Sequence, residues 1–247
     1  LAFIFTNYNN SEFTEKAVKS IYENSIEDQV QFDIVIVDNY SNSYHRNILK
    51  NLSNSYKKIK IIFSNENLGY FNGLNEGINQ LPKSANNYDF VVIGNNDLIF
   101  KNFFINSVYE NYNLFNSYPV VSPDIIRLDG FHQNPHVIKP ISKFRSFIHE
   151  LYFSNFYLSK VIILIANLTR KYTQRNDRKY YKIPGEIMYG YGACYILGPI
   201  FFKSFKNLLA PTFLMGEEFF LYHQLKKNNY KIYYEPSIKV SHHDHAT

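Results

Sequence analysis

The sequence predicts an α/β fold in which a mostly parallel central sheet is flanked by helices, within a single domain spanning residues 1–247. Short apolar runs such as Phe90 to Ile93 are continuous rather than alternating, which is typical of strands covered on both faces. Helical patterns separate these runs, which implies right-handed crossovers in a parallel sheet. Polar clusters follow several runs, and ligands in open α/β sheets bind at the carboxyl edge of the strands. We therefore expect the functional site at that edge.

The composition fits one large domain, because 247 residues with 45% hydrophobic content are enough to form a sizeable core. The single cysteine, Cys194, excludes an internal disulfide and favours a reducing compartment. No apolar run approaches the roughly eighteen residues that span a bilayer, and no signal peptide is visible. We therefore expect a cytoplasmic protein.

The first strand covers Leu1 to Phe5 and ends in the loop Thr6 to Asn10. A helix follows, since Glu12 in its first turn complements the helix dipole and apolar residues recur at helical spacing. That apolar stripe consists of Phe13, Ala17, Val18 and Ile21.

Two further strands also end in polar residues. The run from Phe32 to Val37 ends on the carboxylate of Asp38, and the run from Lys58 to Phe63 ends at Ser64 to Asn67. Because parallel strands present their carboxyl ends at one edge, these clusters are expected to converge.

The next helix contains three glycines, Gly69, Gly73 and Gly77, at four-residue spacing. Glycine destabilises a helix interior, so three of them in one helix need a reason. The apolar stripe occupies another face of this helix and consists of Leu68, Phe71, Leu74, Ile78 and Leu81. The glycine face therefore allows close approach to a ligand or a strand, and plain close packing is an equally open explanation.

The strand Phe90 to Ile93 runs through Gly94, where the chain is expected to turn, into Asn95, Asn96 and Asp97. Asn95 and Asp97 point the same way in an extended segment, and their oxygens suit Mg²⁺ or Mn²⁺. The same residues are also favourable for a simple turn.

The remaining elements are predicted from weaker sequence patterns. The predicted elements are a helix over 103–115, a strand over 120–126, a loop or strand at 190–194, a helix opening within 212–222, strands over 231–234 and 238–240, and a His-rich tail over 241–245.

Residues 139–182 form a basic insertion, with ten Lys or Arg against Glu150 and Asp177, a local charge of +8 in a chain of net charge +5. Its stretch from Phe144 to Leu168 is rich in aromatic and aliphatic residues, and its length fits an interfacial or buried helix rather than a membrane span. We expect an anionic membrane surface as partner, since no RNA-recognition motif accompanies the block and nucleic acid is not expected. The alternatives are a solvated helical face and a protein interface.

Seven short motifs occur in a specific order along the chain: Thr6-Asn-Tyr-Asn, Val37-Asp-Asn-Tyr-Ser41, Asn67-x-Gly-Tyr-x-x-Gly-x-Asn-x-Gly77, Asn95-x-Asp97, Gly192-Ala-Cys194, Glu217-Glu218, and Tyr230-Lys-Ile-x-Tyr-x-Pro236 leading to His242. In this order they resemble the inverting glycosyltransferases of family 2, particularly the rhamnosyltransferase-like bacterial enzymes of surface polysaccharide assembly. The resemblance implies a GT-A fold, a UDP- or dTDP-linked sugar donor, a divalent cation (Mg²⁺ or Mn²⁺), and a glycan or lipid-linked acceptor. It also implies a place at the inner face of the plasma membrane.

The resemblance implies roles for particular residues. The residues implied to bind the nucleotide sugar are Thr6, Asn7, Tyr8, Asp38, Asn67, Gly69, Gly73, Asn75, Asn95 and Asn96; those for the metal are Asp97, Asn95 and His242; those on the acceptor side are Gly192, Ala193 and Cys194. Tyr8 would stack on the pyrimidine and Asp38 would accept hydrogen bonds from the base or ribose, although Asp38 could instead cap a turn. The His-rich tail could also be an ordinary polar terminus.

The catalytic base implied by the resemblance is Glu218, the second acid of its pair, and Glu217 is expected to be structural. Adjacent residues on a helix diverge by about 100°, so we expect only one of the two to face the sugar. Both acids could instead merely complement the helix amino terminus. The acceptor side is atypical, since relatives usually carry Asp at the position of Glu218.

Two other functions remain open at this point. A sugar nucleotidyltransferase also uses a metal at a sheet edge, but it would need a basic glycine-rich loop, and residues 6–11 contain no Lys, Arg or Gly. A non-catalytic module that binds sugar or RNA would need no catalytic base.

Overall fold

A computed structural model describes residues 1–24, 30–169 and 176–244. The strands are β1 (Ala2–Asn7), β2 (Asp33–Asp38), β3 (Ile59–Phe63), β4 (Val91–Asn95), β5 (Leu98–Phe100), β6 (Val120–Arg127), β7 (Gly185–Ile187), β8 (Cys194–Leu197) and β9 (Ile232–His242). The helices are α1 (Ser11–Asn24), α2 (Ser43–Ser55), α3 (Tyr70–Asn79), α4 (Phe104–Glu110), α5 (Tyr112–Phe115), α6 (Lys143–Ser154), α7 (Phe156–Leu168), α8 (Pro199–Ser204) and α9 (Glu217–Lys226).

The described strands form one sheet in the order β3-β2-β1-β4-β8-β6-β9-β5, with β7 paired to β9. The strands β3, β2, β1 and β4 are parallel, whereas β8 runs antiparallel to both β4 and β6. The predicted α/β class is therefore confirmed, and the sheet becomes mixed beyond β4.

The continuous apolar runs have a direct packing cause. In β1, Phe3 and Phe5 belong to a core cluster that includes residues of α1 and α2, whereas Ala2 and Ile4 belong to a second cluster that includes residues of α3. Successive side chains of a strand point to opposite faces, so a strand covered on both faces must be apolar throughout. Burial of both faces fixes β1 and its neighbours at the centre of the molecule.

The glycine face of α3 packs directly on β1. A Cβ atom at Gly73 would stand 2.7 Å from the Thr6 methyl group, and one at Gly77 would collide with the side chain of Ile4. Of the explanations left open by the sequence, close approach to a strand is the one observed at these two positions. This contact brings the start of α3 to the carboxyl end of β1.

Some predicted boundaries are wrong. The chain does not turn at Gly94, because β4 continues through Asn95, and β5 follows almost at once. The two strands expected over 231–234 and 238–240 are one strand, β9, since an irregularity in its pairing with β6 accommodates the intervening residues without a break.

The helices also differ from expectation. The helix expected over 103–115 is divided at Asn111 into α4 and α5. The apolar stretch 144–168 forms two helices rather than one, because the side chain of Asn155 accepts hydrogen bonds from the backbone of Tyr157 and Leu158 and so begins a new helix.

Within the described ranges, no helix combines the length and the apolar character that crossing a membrane requires. Residues 170–175 of the predicted insertion at 139–182 lie outside the described residues, and so does His245 of the predicted His-rich tail. The assignment of the whole chain to one domain stays a prediction.

Candidate functional site

A cavity of about 390 Å³ opens at the carboxyl edge of β1 and β4, where the sequence predicts a site. Its lining comes from Thr6, Asn7, Tyr8, Asn39, Asn67, Gly69, Tyr70, Asn95, Asn96, Asp97, Tyr191, Gly192, Ala193, Leu214, Met215, Glu217 and Glu218. Residues from the ends of three neighbouring strands, the start of α3 and the start of α9 thus meet around one space.

Most of the predicted site residues line this cavity, but five do not: Asp38, Gly73, Asn75, Cys194 and His242. Five lining residues had not been selected from the sequence: Asn39, Tyr70, Tyr191, Leu214 and Met215. Asn39 and Tyr70 lie inside motifs that the sequence analysis quoted, and Tyr191 lies in the loop or strand predicted at 190–194, but the directions of their side chains could not be predicted. No sequence signal marked Leu214 or Met215.

Asp38 is fully buried and its carboxylate is occupied within the protein. It accepts hydrogen bonds from Asn7 Nδ2 at 3.0 Å, from the Ser41 amide at 3.2 Å and from Arg46 Nε at 2.9 Å. These partners hold the end of β2 against the loop after β1, which is the turn-capping role that the sequence left open for Asp38.

The next residue, Asn39, lines the cavity in its place. Its Nδ2 donates to the Gly69 carbonyl at 2.9 Å, whereas its buried Oδ1 has no hydrogen-bond partner among the described residues. A buried acceptor without a partner is costly, so this oxygen is available for a donor group that enters the cavity.

Asn7 and Asn96 use their side-chain amides to hold the loops together. Asn96 Nδ2 lies 2.6 Å from Asn10 Oδ1, 2.7 Å from Thr14 Oγ1 and 3.1 Å from Asn7 Oδ1. This buried network rigidifies one wall of the cavity. Asn75 is engaged elsewhere, since its amide pairs with both the N–H and the carbonyl of Leu208.

Asp97, Asn95 and His242, predicted from the sequence as metal ligands, lie together. His242 Nε2 lies 3.2 Å from Asp97 Oδ1 and 3.4 Å from Asn95 Nδ2. Pairing of β5 with β9 aligns Leu98 with His242 and so brings the end of the chain beside Asp97. Two segments that are distant in sequence, residues 95–97 and the end of β9, therefore meet at one point.

This group has the chemistry that a divalent cation needs. Asp97 is almost fully buried, and its Oδ1 has no hydrogen-bond partner among the described residues. Asp97 Oδ1 and His242 Nε2 lie 3.2 Å apart, and a carboxylate oxygen and an imidazole nitrogen are both atoms that would hold a divalent cation. Within the described ranges, no cluster of three or more His, Cys, Asp or Glu suited to a metal occurs, so Asn95 or bound ligand oxygens would complete this set.

Glu217 and Glu218 begin α9 after Gly216 and both line the cavity; that only one of them faces the sugar stays a prediction. Glu217 Oε1 folds back to the Met215 amide at 2.9 Å, whereas Glu218 Oε1 reaches across to the Gly192 amide, also at 2.9 Å. Burial raises the pKa of the Glu217 carboxyl, and the neighbouring charge of Glu218 adds to this effect.

Residues 192–194 lead into β8 beside the glutamate pair. The Tyr70 hydroxyl donates to the Gly192 carbonyl at 2.9 Å, and a Cβ at Gly192 would stand 2.8 Å from Glu218 Oε1. Cys194 is fully buried in the core, and burial raises the pKa of its thiol, so it packs beneath the cavity wall.

Comparison with known proteins gives a family match for most of the chain. The model of the family described as "Glycosyl transferase family 2" matches residues 2–187. No protein with a curated description matches this chain.

Solved structures share the fold. GalNAc-T7, crystallised with UDP, GalNAc and Mn²⁺, superposes with a TM-score of 0.63 at 11% identity, covering 98% of this chain and 43% of its own. The mannosyltransferase PcManGT from Pyrobaculum calidifontis, in complex with GDP-Man and Mn²⁺, gives 0.58 at 12% identity, covering 97% and 55%. The chain thus spans about half the length of these two proteins.

Proposed function

This chain belongs to glycosyltransferase family 2, and we propose that it transfers a sugar from a nucleoside diphosphate to a hydroxyl group of a glycan or lipid-linked acceptor, with inversion at C1. The observation that carries the proposal is that Asp97, which pairs with His242, and Glu218 line the same cavity. A nucleotide-release assay with a panel of UDP-, dTDP- and GDP-sugars tests it. Release of nucleotide without any sugar transferred to any acceptor, or no release at all, would contradict it.

The donor's nucleotide is assigned to the wall formed by the loops after β1 and β2. Tyr8 is half exposed at the cavity edge and presents a ring on which a pyrimidine can stack. The unpartnered Oδ1 of Asn39 accepts a hydrogen bond from the base or ribose. We assign this role to Asn39 rather than Asp38, because the carboxylate of Asp38 is already used by three internal donors.

Asn39→Ala is expected to weaken UDP binding about tenfold, since it removes one buried hydrogen bond to the ligand and the bond to Gly69. Titration calorimetry with UDP measures this change. Asn24→Ala is the matched control, because Asn24 also makes buried hydrogen bonds to backbone carbonyls but lies outside the cavity lining. It should lower stability and leave the dissociation constant for UDP unchanged. If Asp38→Asn weakens UDP binding more than Asn39→Ala does, the role belongs to Asp38.

The donor's diphosphate is assigned to Asp97, His242 and Asn95, which would hold Mg²⁺ or Mn²⁺. When bound there, a divalent cation would help to neutralise the charge that develops on the diphosphate as its bond to C1 breaks. Asn95 presents its amide nitrogen toward His242, so its oxygen becomes a ligand only after the amide turns.

An inverting displacement at C1 needs one carboxylate on the acceptor side of the sugar to take the proton of the acceptor hydroxyl. Glu218 takes the proton of the acceptor hydroxyl as that oxygen forms a bond to C1, and the nucleoside diphosphate leaves from the opposite face with the electron pair of the broken bond. The hydrogen bond from the Gly192 amide to Glu218 Oε1 holds the carboxylate in position, and a carboxylate has capacity for further partners.

We assign the protein to bacterial surface polysaccharide synthesis, as the resemblance implies. We place it at the inner face of the plasma membrane because the basic insertion carries an exposed apolar surface. Helices α6 and α7 pack against each other, and no residue of either helix is buried. Five residues of α7 at helical spacing are each more than half exposed: Tyr157, Val161, Leu164, Ile165 and Leu168. They form one apolar face, here called the α7 stripe.

An anionic membrane fits the α7 stripe better than a neutral partner does. Lys143, Arg145 and Lys160 lie on the same helix pair, and Arg178, Lys179 and Lys182 follow it. Each basic residue near anionic lipid contributes about 1 kcal/mol, added to the burial of the apolar stripe in the interfacial region. Docking in this way would bring the cavity to lipid-linked acceptors.

We expect the protein to co-sediment with anionic vesicles, less strongly at physiological salt than at low salt, and not with neutral vesicles. Leu164→Gln with Leu168→Gln should weaken vesicle binding about 10²-fold, since each leucine contributes about 1.5 kcal/mol on burial. Leu128→Gln is the matched control, because Leu128 is 69% exposed but lies in the turn after β6. Equal binding to neutral and anionic vesicles would eliminate the anionic surface as the partner, and binding to neither would eliminate the membrane and leave a protein interface.

A further inference from the structure

His242 has two ring nitrogens that face different partners. Nδ1 lies 2.8 Å from Gln133 Oε1, and Nε2 lies 3.2 Å from Asp97 Oδ1. The backbone of His242 is held on both sides in the sheet, opposite Leu98 of β5 and Arg127 of β6. The ring therefore meets the two side chains in a defined orientation.

Gln133 is itself held firmly below the cavity. It is 3% exposed, its backbone N–H donates to the Ile125 carbonyl at 2.8 Å, and its backbone carbonyl accepts from Arg178 Nε at 3.3 Å. An amide oxygen only accepts hydrogen bonds, so its partner Nδ1 must carry a proton. In the neutral ring, Nε2 then presents a lone pair to Asp97.

We propose that Gln133 is a positioning residue that holds His242 in the Nδ1–H tautomer, so that the Nε2 lone pair and Asp97 Oδ1 face a common cation. The role of the cation in this inference rests on the proposed function, whereas the tautomer is a property of the metal-free protein. The contact of Asn95 Nδ2 with His242 Nε2 at 3.4 Å agrees with it, because an amide nitrogen donates and so needs an accepting Nε2. Ligating histidines commonly donate their other N–H to such a partner, which fixes ring orientation and strengthens metal binding.

The first measurement is nitrogen NMR of the metal-free protein under conditions where the imidazole is neutral. The chain has 8 histidines, and a His242→Asn variant identifies the signals of His242. The expected result is the Nδ1–H tautomer in the wild type and in Gln133→Glu, which keeps an accepting oxygen, and loss of that tautomer in Gln133→Met. An Nε2–H tautomer in the wild type would overturn the inference.

The second measurement is Mn²⁺ affinity by calorimetry. Gln133→Met should weaken Mn²⁺ binding about 10- to 100-fold, whereas Gln133→Glu should restore it to the wild-type value or better. Gln224→Met is the matched control, because Gln224 is also buried and pairs with the backbone of Asn207 and Leu209, away from His242. It should change neither the tautomer nor the affinity.

The outcomes separate this inference from the proposed function. If Gln133→Met loses the tautomer but the wild type binds no Mn²⁺, the positioning role stands and the metal part of the proposed function fails. If Gln133→Met keeps both the tautomer and the Mn²⁺ affinity, the positioning role fails and the metal site stands.

Discussion

Replacing Asp97 with Asn should reduce sugar transfer by at least about 10³-fold while the protein stays folded. The carboxylate lies in the turn between β4 and β5, 3.2 Å from His242 Nε2, where it would share a cation with the donor's diphosphate. Loss of that cation removes several kcal/mol of stabilisation from the leaving diphosphate, and each 1.36 kcal/mol is worth about tenfold in rate. Fold stability should be unchanged or higher, because Asp97 Oδ1 is buried with no hydrogen-bond partner among the described residues.

Two measurements and a control variant separate the role of Asp97 from a general defect. Calorimetry should show weakened Mn²⁺ binding in Asp97→Asn, and thermal unfolding should be close to that of the wild type. Asp89→Asn is the matched control, because Asp89 is exposed just before β4 at the opposite edge of the sheet and pairs with the Tyr109 hydroxyl. Full activity of Asp97→Asn, or full activity of the wild type in excess chelator, would refute the metal assignment.

Glu218→Gln should keep donor binding while transfer falls by about 10²-fold or more, because an amide has the shape of the carboxylate but takes no proton. The variant should remain folded, since the Gln side-chain oxygen can still accept from the Gly192 amide as Glu218 Oε1 does at 2.9 Å. Turnover with saturating donor and acceptor, together with the dissociation constant for the donor, separates catalysis from binding.

Glu217→Gln is the internal comparison for Glu218. Both carboxylates line the cavity, so proximity alone does not distinguish them. Glu217 bonds to the Met215 amide two residues away within its own loop, which suits a structural role, and its substitution should change transfer less than tenfold. If Glu217→Gln abolishes transfer and Glu218→Gln does not, the catalytic role belongs to Glu217.

Several features of the fold follow from local sequence patterns. The runs that form β1, β2 and β4 are continuously apolar because both faces are covered, and that pattern is readable without any knowledge of the partners. The polar residues that follow these runs locate the carboxyl edge, and the cavity lies there. The break at Asn155 was missed because a capping residue in the middle of an apolar stretch is a weaker signal than the stretch itself.

The sequence by itself therefore determined the fold class, the edge of the sheet that holds the cavity and most of the residues around it. Only the tertiary structure decided which of two adjacent side chains lines the cavity, as with Asp38 and Asn39, and that both Glu217 and Glu218 line it. Only the tertiary structure also joined Gln133 to His242. The physical reason is that the spacing of apolar residues, which indicates the type of each element, is local in the sequence. The direction of a side chain at a strand end instead depends on contacts with residues far away in sequence.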